Sequence, residues 1–571
     1  MRARRRRTGV ALTFASIALS VAVARAREST RAIGRAFVRV SDDGARFVRS
    51  ARCANETRDE DFTFRGFNAY AMLELGAEIE NGSFGADYSR GRGRRMVREI
   101  VEDARSAGMN VVRTWAFSVN YARPSFDPMT AVYDEALMVG LDYFISEASR
   151  AGVFVVLALA DYWQAHGGVP HFLASCALQR DGAFGDDDGS DREFFESEKC
   201  RAMYKAHVKA ILTRVNTFSG RAYKDDDAIA AFNLMNEPRC RGCGDVLQRW
   251  IDEMSAYFKL VDDNNHLLTV GEEGFYARDA RDVNPGIWAA TTGQDFIANH
   301  AGSNIDFATI HIWKDNWSVY SPSVRFDAER YTRRWIDAHE IDAREILRKP
   351  LVLEEFGSAP GGTRRVVQTN RAATNAATTN YRYQSLFQPN RANVNANVPT
   401  SWQSPRTRRD EEAVENYYRA VFSQVARAIA SDDKVIRGAM FWVLHHESMR
   451  GTDVDDLDPF AVYPSDGAYV QARRFASRVI ADTTVRGRGR DDEEACRSSY
   501  GNDENENESE NENGNENENE NANVDEYAYD DEYEDESKDA LADEVAFGDG
   551  ASEATNADGV VALGATDEEY S

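Results

Sequence analysis

Apolar segments long enough to cross a membrane are absent from the 571-residue sequence after its N-terminus, so we expect the mature protein to be soluble. Cysteine and histidine are scarce, with six and nine residues. The single C-x-x-C motif, Cys240 to Cys243, has no second Cys or His cluster to complete a zinc site. A zinc or redox role for this motif is therefore weakly supported, and we expect no metal site.

Net charge is also missing from most of the chain. Residues 1–490 contain 66 basic and 65 acidic residues, so the total charge of −27 comes from the segment 491–571. This balance indicates little about what the first 490 residues bind, and we expect no nucleic-acid partner.

The segment 491–571 has too few large apolar residues to offset the entropy of ordering. It contains 30 acidic residues against Arg497 and Lys538, and Asn alternates with Glu from Asn502 to Asn521. Because like charges repel, the composition predicts an extended, disordered acidic tail. A metal-buffering or spacer role is an alternative to a simple solvated tail.

Residues 1–26 have the layout of a secretory signal peptide. Five arginines among the first seven residues precede an uncharged stretch at 8–24, with small residues at Ala22, Ala24 and Ala26. Because this stretch is shorter than the roughly 20 residues that span a bilayer, we expect cleavage and secretion to the cell exterior. An uncleaved type II signal anchor is the alternative.

The six cysteines fit an oxidising compartment, in which disulfides persist. Sequence alone does not fix their pairing. Two pairs are close in sequence, and the remaining two cysteines flank the ends of the main domain. The positions therefore favour the pairs Cys240–Cys243, Cys176–Cys200 and Cys53–Cys496.

Eight short apolar runs alternate with helix-like segments and predict an α/β protein, a (β/α)8 TIM barrel, over residues 36–485. The predicted strands are Phe62–Asn68, Asn110–Trp115, Val153–Leu159, Ile229–Met235, Leu267–Gly271, Asp306–His311, Leu351–Glu355 and Ile436–Leu444. The predicted helices have apolar residues at i, i+3 or i+4: Arg94–Ala107, Asp134–Ala151, Cys200–Phe218, Asp245–Asp263, Tyr331–Leu347 and Glu411–Ala430. Residues 359–410 are too long for an ordinary loop and predict a low-complexity insertion.

Polar and aromatic residues recur where the predicted strands end, which is the face of such a barrel that carries the chemistry. A single Trp or His there would be an ordinary core residue, but the recurrence favours a cleft with stacking rings and hydrogen-bonding groups. These residues include Asn68, Arg113, Trp115, Trp163, Asn236, Glu237, His311, Trp313, Glu355 and Trp442.

Two of these residues are carboxylates suited to a glycosidase. Glu237, in Asn236-Glu237-Pro238, and Glu355, in Glu355-Phe356-Gly357, lie 118 positions apart but each follows a buried strand. Retaining glycoside hydrolysis needs one carboxylic acid and one nucleophilic carboxylate. We expect Glu237 to be the acid/base with a raised pKa, and Glu355 to be the nucleophile, kept ionised by Arg113.

The alternation of a strand decides between Glu354 and Glu355. Neighbouring residues of a strand face opposite ways, so only one of the two is expected in the cleft. Taken alone, either carboxylate would more often be structural, and Glu272 and Glu273 are interpreted at most as cleft-lining residues.

Several motifs together resemble glycoside hydrolase family 5, and within it the plant and fungal endo-β-1,4-mannanases. They are Gly66 to Tyr70, Val112 to Ser118, Leu234 to Cys240, Glu273 to Tyr276, Asp306 to His311, and Glu355 to Gly357. The resemblance implies a retaining (β/α)8 hydrolase with Glu237 as acid/base and Glu355 as nucleophile. It also places the family's Arg, Asn, His and Trp positions on Arg113, Asn236, His311 and Trp442.

The chain departs from the family pattern at two strand ends. After the first strand, the family usually has an aromatic residue following Asn-x-Tyr, and this chain has Ala71 there. After the sixth strand, the family usually has His-x-Tyr-Pro-Asp, and this chain has His311-Ile312-Trp313-Lys314-Asp315. The replaced Tyr removes a hydroxyl donor near the nucleophile, and Lys314 changes the local charge.

The expected function is that of a secreted, monomeric endo-β-1,4-mannanase that hydrolyses mannan, glucomannan or galactomannan without a cofactor. Its expected substrate-binding residues are Arg113, Asn236, His311, Trp442, Trp115, Asn68, Trp163 and Trp313. The alternatives are another family 5 β-glycanase, such as a cellulase or β-1,3-glucanase, or a transglycosylase. From another class, the chain would be a non-catalytic carbohydrate-binding wall protein.

Overall fold

The computed structural model describes residues 37–53, 56–80, 87–117, 126–127, 132–163, 168–176, 190–278, 282–317, 327–361, 407–450 and 458–487. The strands in this part of the chain are β1 Val38–Val40, β2 Phe47–Cys53, β3 Glu56–Phe62, β4 Phe64–Asn68, β5 Val111–Trp115, β6 Phe126–Asp127, β7 Val132–Tyr133, β8 Phe154–Ala158, β9 Ile229–Asn233, β10 Leu267–Thr269, β11 Ala308–Ile312, β12 Leu351–Phe356 and β13 Ile436–Phe441.

The helices in the same ranges lie between and after these strands. They are α1 Met72–Ala77, α2 Arg92–Ser106, α3 Glu135–Arg150, α4 Val169–Cys176, α5 Ser190–Glu196, α6 Glu198–Thr213, α7 Gly244–Asp262, α8 Phe296–Ala301, α9 Lys314–Trp317, α10 Ala328–Asp342, α11 Arg408–Ile429 and α12 Gly467–Gly487. A π-helical turn, Ala343–Leu347, extends α10. Short 3₁₀ turns occur at Tyr223–Asp225, Ile287–Thr291 and Glu447–Met449.

Eight parallel strands form the barrel in the order β10-β9-β8-β5-β4-β13-β12-β11. The first and last strands of this order, β10 and β11, do not pair through a continuous ladder of hydrogen bonds. Isolated backbone hydrogen bonds near the two strands close the barrel instead. Asp306 N–H donates to the Leu268 carbonyl at 2.8 Å, and His311 N–H donates to the Glu273 carbonyl at 3.1 Å. The prediction of a (β/α)8 barrel is confirmed.

All eight predicted strands and all six predicted helices are present, with ends that shift by a few residues. The elements that were not predicted from the sequence are the antiparallel sheet β1-β2-β3, the hairpin β6-β7, the long helix α12, and the short helices α1, α4, α5, α8 and α9. Strand β3 reads Glu-Thr-Arg-Asp-Glu-Asp-Phe, which lacks the apolar alternation of a half-buried strand. Helix α12 buries Ala472 and Ala476 together with Tyr469, Phe475 and Val479.

The sheet β1-β2-β3 covers the end of the barrel at which the strands begin. Phe47 and Phe62 pack edge-on against Phe64, the first residue of β4, with ring centroids 4.9 and 5.2 Å apart. Phe47 also packs against Phe307 just before β11, at 5.3 Å. Because apolar rings fill this end, the opposite end, where the strands finish, is left for the polar side chains.

Both disulfides within the described residues agree with prediction, Cys176–Cys200 and Cys240–Cys243. The pair Cys53–Cys496 stays a prediction because Cys496 lies outside the described residues, as do the signal segment 1–26, most of the insertion and the tail 491–571. Among the helices described, none is long and apolar enough to span a bilayer.

Helices α1 and α3 cross with their backbones in contact at Gly76 and Gly140. A Cβ atom at Gly140 would overlap the Leu73 carbonyl oxygen and the Ala77 nitrogen. We therefore expect Gly140→Ala to push the two helices apart and to lower the free energy of unfolding by about 1–3 kcal/mol, measured by thermal or denaturant unfolding.

Gly302→Ala is the matched control. A Cβ atom at Gly302 would have Asp252 Oδ1 as its nearest neighbour, at 3.6 Å, and the backbone there, with φ −58°, suits alanine. Equal stability losses in the two variants would contradict the close-approach explanation.

Candidate active site

Arg113, on β5, is fully buried at the end of the barrel where the strands finish. Its Nε donates to Asn233 Oδ1 at 2.7 Å, and its Nη1 donates to Asn68 Oδ1 at 2.9 Å. Its Nη2 donates to Asn236 Oδ1 at 2.8 Å, and Nη1 also forms an ion pair with Glu355. One guanidinium group therefore joins side chains from β4, from β12, and from the end of β9 and the loop after it.

The two predicted catalytic carboxylates face each other across this mouth. An oxygen of Glu237 and an oxygen of Glu355 lie within 4.8 Å of each other and of a His311 nitrogen. Retaining glycosidases place their carboxyl groups about 5 to 5.5 Å apart, whereas inverting enzymes need about 6.5 to 9.5 Å. The separation therefore fits the shorter distance, at which a carboxylate attacks the sugar directly.

Glu237 lies in the loop after β9 and has a left-handed backbone, with φ at 48°. A residue with a side chain rarely adopts this conformation, and where it does the surrounding structure has to hold it. Here the Glu237 N–H donates to the Gly271 carbonyl at 2.7 Å, which ties the loop to the end of β10. The backbone of Glu237 is thus fixed, and its carboxylate is directed at the neighbouring strands.

Two side chains contact the Glu237 carboxylate. His311 Nδ1 lies 2.8 Å from Glu237 Oε1, and Trp163 Nε1 donates to Glu237 Oε2 at 2.6 Å. The same His311 nitrogen lies 3.4 Å from Glu355 Oε2. His311 therefore stands between the two carboxylates, the position expected of a residue that orients them.

A register shift at β12 changes the expected relation between Glu354 and Glu355. Ile310 pairs with Leu353 and His311 pairs with Glu355, so Glu354 is the extra residue of a β-bulge. The expected strict alternation is wrong here, because the bulge turns both carboxylates toward Arg113. Glu354 is fully buried and accepts a hydrogen bond from Asn233 Nδ2 at 2.8 Å.

Asn236 is oriented by a buried aspartate. Asn236 Nδ2 donates to Asp161 Oδ1 at 3.0 Å, which leaves Asn236 Oδ1 facing Arg113. Asp161 follows β8 and forms an isolated parallel bridge with Asn236. Burial, the largest influence, raises the pKa of Asp161 well above its usual value.

The predicted aromatic residues differ in their exposure and in the groups that they contact. Trp442 stacks on Tyr70 at 5.7 Å and meets the edge of Trp313 at 5.9 Å. Trp115 is 1 % exposed and packs under the Arg113 guanidinium at 4.9 Å. Trp163 is partly exposed beside Glu237. Asn68 is buried, and its amide donates to the Glu354 carbonyl at 2.9 Å.

A second buried ion pair, not predicted from the sequence, supports Trp163. Arg239 Nε donates to Glu273 Oε1 at 3.0 Å, and Gln294 Nε2 donates to Glu273 Oε2. The Arg239 guanidinium lies 4.7 Å from the Trp163 ring centroid. The available signal was Arg239 directly after Asn-Glu-Pro, together with Glu273 at another strand end, but only the fold shows that they meet.

The protonation of the two carboxylates differs from the expected division. Burial raises the pKa of Glu355 to about 7, although His311 and Arg113 act to lower it. Burial also raises the pKa of Glu237, but the hydrogen bond and charge of His311, the charge of Arg239 and the Trp163 hydrogen bond bring it below its usual value. The expected raised pKa at Glu237 is thus wrong without substrate, because His311, Arg239 and Trp163 all favour its ionised form.

The two carboxyl groups are close enough to titrate as one pair, so the value near 7 belongs to the pair. Below that pH the pair holds one proton, which is the number a retaining mechanism needs on an acid and a nucleophile together. The pH dependence of hydrolysis follows from the presence of this proton on the pair, whichever carboxylate carries it.

Two carboxylates and an imidazole are also donors that a divalent cation can use. Here Arg113 already pairs with Glu355, and His311 already contacts Glu237. The cations of the chain itself thus balance these carboxylates, and the arrangement needs no metal ion.

Residues 56–458 match the family model described as GH family 5 beta-mannosidase-like, which is more than half of the chain. The chain belongs to glycoside hydrolase family 5. The resemblance seen in the strand-end motifs is confirmed.

Relatives named as mannan endo-1,4-beta-mannosidases align with more than half of this chain. Mannan endo-1,4-beta-mannosidase 5 of Solanum lycopersicum is 36 % identical over 332 residues, 57 % of this chain and 74 % of the relative. Mannan endo-1,4-beta-mannosidase 1 of Oryza sativa subsp. japonica is 38 % identical over 324 residues, 55 % of this chain and 69 % of the relative.

Solved structures support the fold. The glycoside hydrolase family 5 mannosidase from Rhizomucor miehei aligns with a TM-score of 0.56 at 22 % identity, over 79 % of this chain and 99 % of that chain. The endo-beta-1,4-mannanase from Thermotoga petrophila aligns with a TM-score of 0.51 at 23 % identity, over 73 % of this chain and 76 % of that chain. At these identities the likeness concerns the barrel alone.

The shared proton predicts the pH dependence of hydrolysis. Since the raised pKa of Glu355, about 7, marks the loss of the last proton of the pair, kcat/KM should fall as pH rises through about 7. Measurement of kcat/KM on a soluble substrate between about pH 4 and pH 9 checks this, with circular dichroism at each pH as the control for folding. A kcat/KM that stays level a full unit above that pKa would contradict the assignment.

Proposed function

We propose that this protein is a retaining endo-β-1,4-mannanase that hydrolyses internal β-mannosidic bonds of mannan, glucomannan or galactomannan. The observation that carries the proposal is the pair of buried carboxylates within 4.8 Å at the mouth of a family 5 barrel. The mannan substrate is supported by the relatives from tomato and rice, whose names give that activity.

In the first step Glu355 attacks the anomeric carbon. A bond forms between its carboxylate oxygen and that carbon while the glycosidic C–O bond breaks, and Glu237 gives its proton to the departing oxygen. The proton shared by the pair therefore has to reside on Glu237 when substrate is bound. Arg113, paired with Glu355, favours the ionised form of this nucleophile.

In the second step a water molecule replaces the leaving group. Glu237 removes a proton from the water, the water oxygen bonds to the anomeric carbon, and Glu355 departs as a carboxylate. The configuration of the sugar is retained because each step inverts it once. No oxidant, metal ion or organic cofactor takes part.

Other side chains bind the sugar in this proposal. Asn236, fixed by Asp161 and Arg113, hydrogen-bonds the 2-hydroxyl, a contact that strengthens in the transition state. Trp442 offers an apolar surface to the sugar face, with Trp313 at its edge. Trp163 faces the cleft beside the acid/base, and Trp115 and Asn68 act through Arg113.

We further propose that the enzyme is a secreted monomer with a catalytic domain at residues 36–485. The disulfides Cys176–Cys200 and Cys240–Cys243 support an oxidising compartment. The signal-like segment 1–26 supports export, and residues 491–571 form a tail outside the catalytic domain.

A substrate panel tests the proposed activity. We expect the purified full chain to release mannose oligomers from mannan and not to degrade cellulose or a β-1,3-glucan. NMR of the first product should show the β-anomer before mutarotation. Glucose oligomers without mannose oligomers would move the enzyme to another β-glycanase, and no release from any glycan would leave a carbohydrate-binding protein.

Glu237→Ala and Glu355→Ala test the roles of the two carboxylates. Each variant should fold normally and lose several orders of magnitude in kcat. With an activated aryl mannoside, azide should restore turnover of Glu237→Ala with a β-azide product and of Glu355→Ala with an α-azide product. Unchanged activity in either variant, or exchanged product configurations, would overturn the assignment.

Removal of the acidic tail should leave catalysis intact. A chain that ends at Arg490 loses 30 acidic residues but none of the residues assigned to the site. We expect its kcat/KM on soluble mannan to equal that of the full chain within about twofold, since salt at physiological concentration screens exposed charges. Loss of hydrolysis on truncation would show that the tail belongs to the catalytic apparatus.

A further inference from the structure

We propose that Glu354 is a positioning residue whose buried carboxylate acts as the counter-ion of His311 and, through it, orients the catalytic pair. The proposal rests on the proposed function for the roles of Glu237 and Glu355. The placement of Glu354 and His311 is independent of those roles.

Glu354 lies beneath the catalytic pair because of the β-bulge in β12. Its side chain is fully buried, and its Oε1 accepts a hydrogen bond from Asn233 Nδ2 at 2.8 Å. The same oxygen lies 3.5 Å from Arg113 Nε. One carboxylate oxygen is therefore committed to Asn233 and Arg113.

The other carboxylate oxygen faces His311. Glu354 Oε2 lies 3.7 Å from His311 Nε2, and neither atom has a hydrogen-bond partner among the described residues. The opposite ring nitrogen, Nδ1, lies 2.8 Å from Glu237 Oε1 and 3.4 Å from Glu355 Oε2. The imidazole ring thus stands between Glu354 on one side and the catalytic pair on the other.

Only a protonated imidazole has an N–H on both sides of the ring. A neutral His311 would offer one N–H, and either Glu354 or the catalytic pair would then meet a ring nitrogen lone pair. Because His311 is buried, an unpaired carboxylate on either side would be costly. The geometry therefore favours the imidazolium form, in which the Nδ1–H faces the catalytic pair and the Nε2–H faces Glu354.

The charges around the ring support this form. Burial lowers the pKa of His311, but Glu355, Glu237 and Glu354 together raise it to about 10. Arg113 on β5 pairs with both Glu354 and Glu355, and Glu272 after β10 is a further titratable group whose charge interacts with the ring. Glu354 is the carboxylate that faces His311 Nε2, and it takes no part in the proposed chemistry, so it can keep its charge throughout the reaction.

Glu354→Gln tests this role, because it keeps an oxygen for Asn233 and removes the negative charge. We expect kcat to fall at least about tenfold while KM changes less than about threefold. We also expect the pKa of His311 to fall by at least about one unit, followed by NMR of the protein with labelled imidazole nitrogens. The His311 signals are identified among the nine histidines by their loss in His311→Asn.

Glu354→Asp is the conservative variant. It keeps the charge but draws it back by one methylene group, so kcat and the pKa of His311 should lie between those of wild type and Glu354→Gln. It also carries the test if Glu354→Gln fails to fold.

Asp262→Asn is the matched control, since Asp262 Oδ1 lies 2.6 Å from His266 Nδ1 in another buried carboxylate–imidazole pair. We expect it to leave kcat within about twofold of wild type, whatever it does to stability. An unchanged pKa of His311 in the Glu354 variants, or an unchanged kcat in Glu354→Gln, would overturn the proposal. The NMR titration needs no substrate, so it stands even if the wild-type protein proves inactive on mannan.

Discussion

The buried guanidinium of Arg113 is the constraint on which the mouth of the barrel depends. Removing a charged group from water costs several kcal/mol unless its donors are paired, so Arg113 is tolerated only when its partners are in place. Those partners come from β4, β9, the loop after β9, and β12: Asn68, Asn233, Asn236, Glu354 and Glu355. The strands must therefore end in the correct register, or the charge would be left unpaired. The same requirement that aligns the strands brings the nucleophile into the cleft.

The charge balance around Arg113 accounts for the proton that catalysis needs. Three carboxylates, Glu237, Glu354 and Glu355, surround two cations, Arg113 and His311. With every group ionised the cluster would carry one net negative charge in a buried setting. One bound proton neutralises it, and burial raises the pKa of Glu355 to about 7. The cluster thus keeps one acidic proton near neutral pH without a metal ion. His311 Nδ1 lies closer to Glu237 than to Glu355.

Local sequence patterns predicted most of the fold. The features that they did not predict depend on how one strand pairs with its neighbour. Apolar runs of strand length and amphipathic helices have their own signals, so all eight barrel strands were found. The polar strand β3 gave no such signal, because its pairing comes from the neighbouring strand β2. Glu237, Glu355 and Arg113 were found because each follows or belongs to a strand end. The inward turn of Glu354 was missed, since a bulge depends on pairing with β11. The order of the carboxyl pKa values was also missed, because it depends on distances to His311 and Trp163.

The inside of the barrel is divided into an apolar layer and a charged layer, and the two have opposite effects on stability. Where the strands begin, Phe47, Phe62 and Phe64 pack edge to face and remove apolar surface from water. Where they end, buried ions contribute little net stability, and replacing such ions by apolar groups often stabilises a protein. The charged layer is therefore explained by the chemistry at the mouth rather than by folding. The apolar packing at the end closed by the sheet β1-β2-β3 offsets the free-energy cost of burying charges at the end open to substrate. The N-terminal sheet therefore supports the active site, although it lies at the opposite end of the barrel.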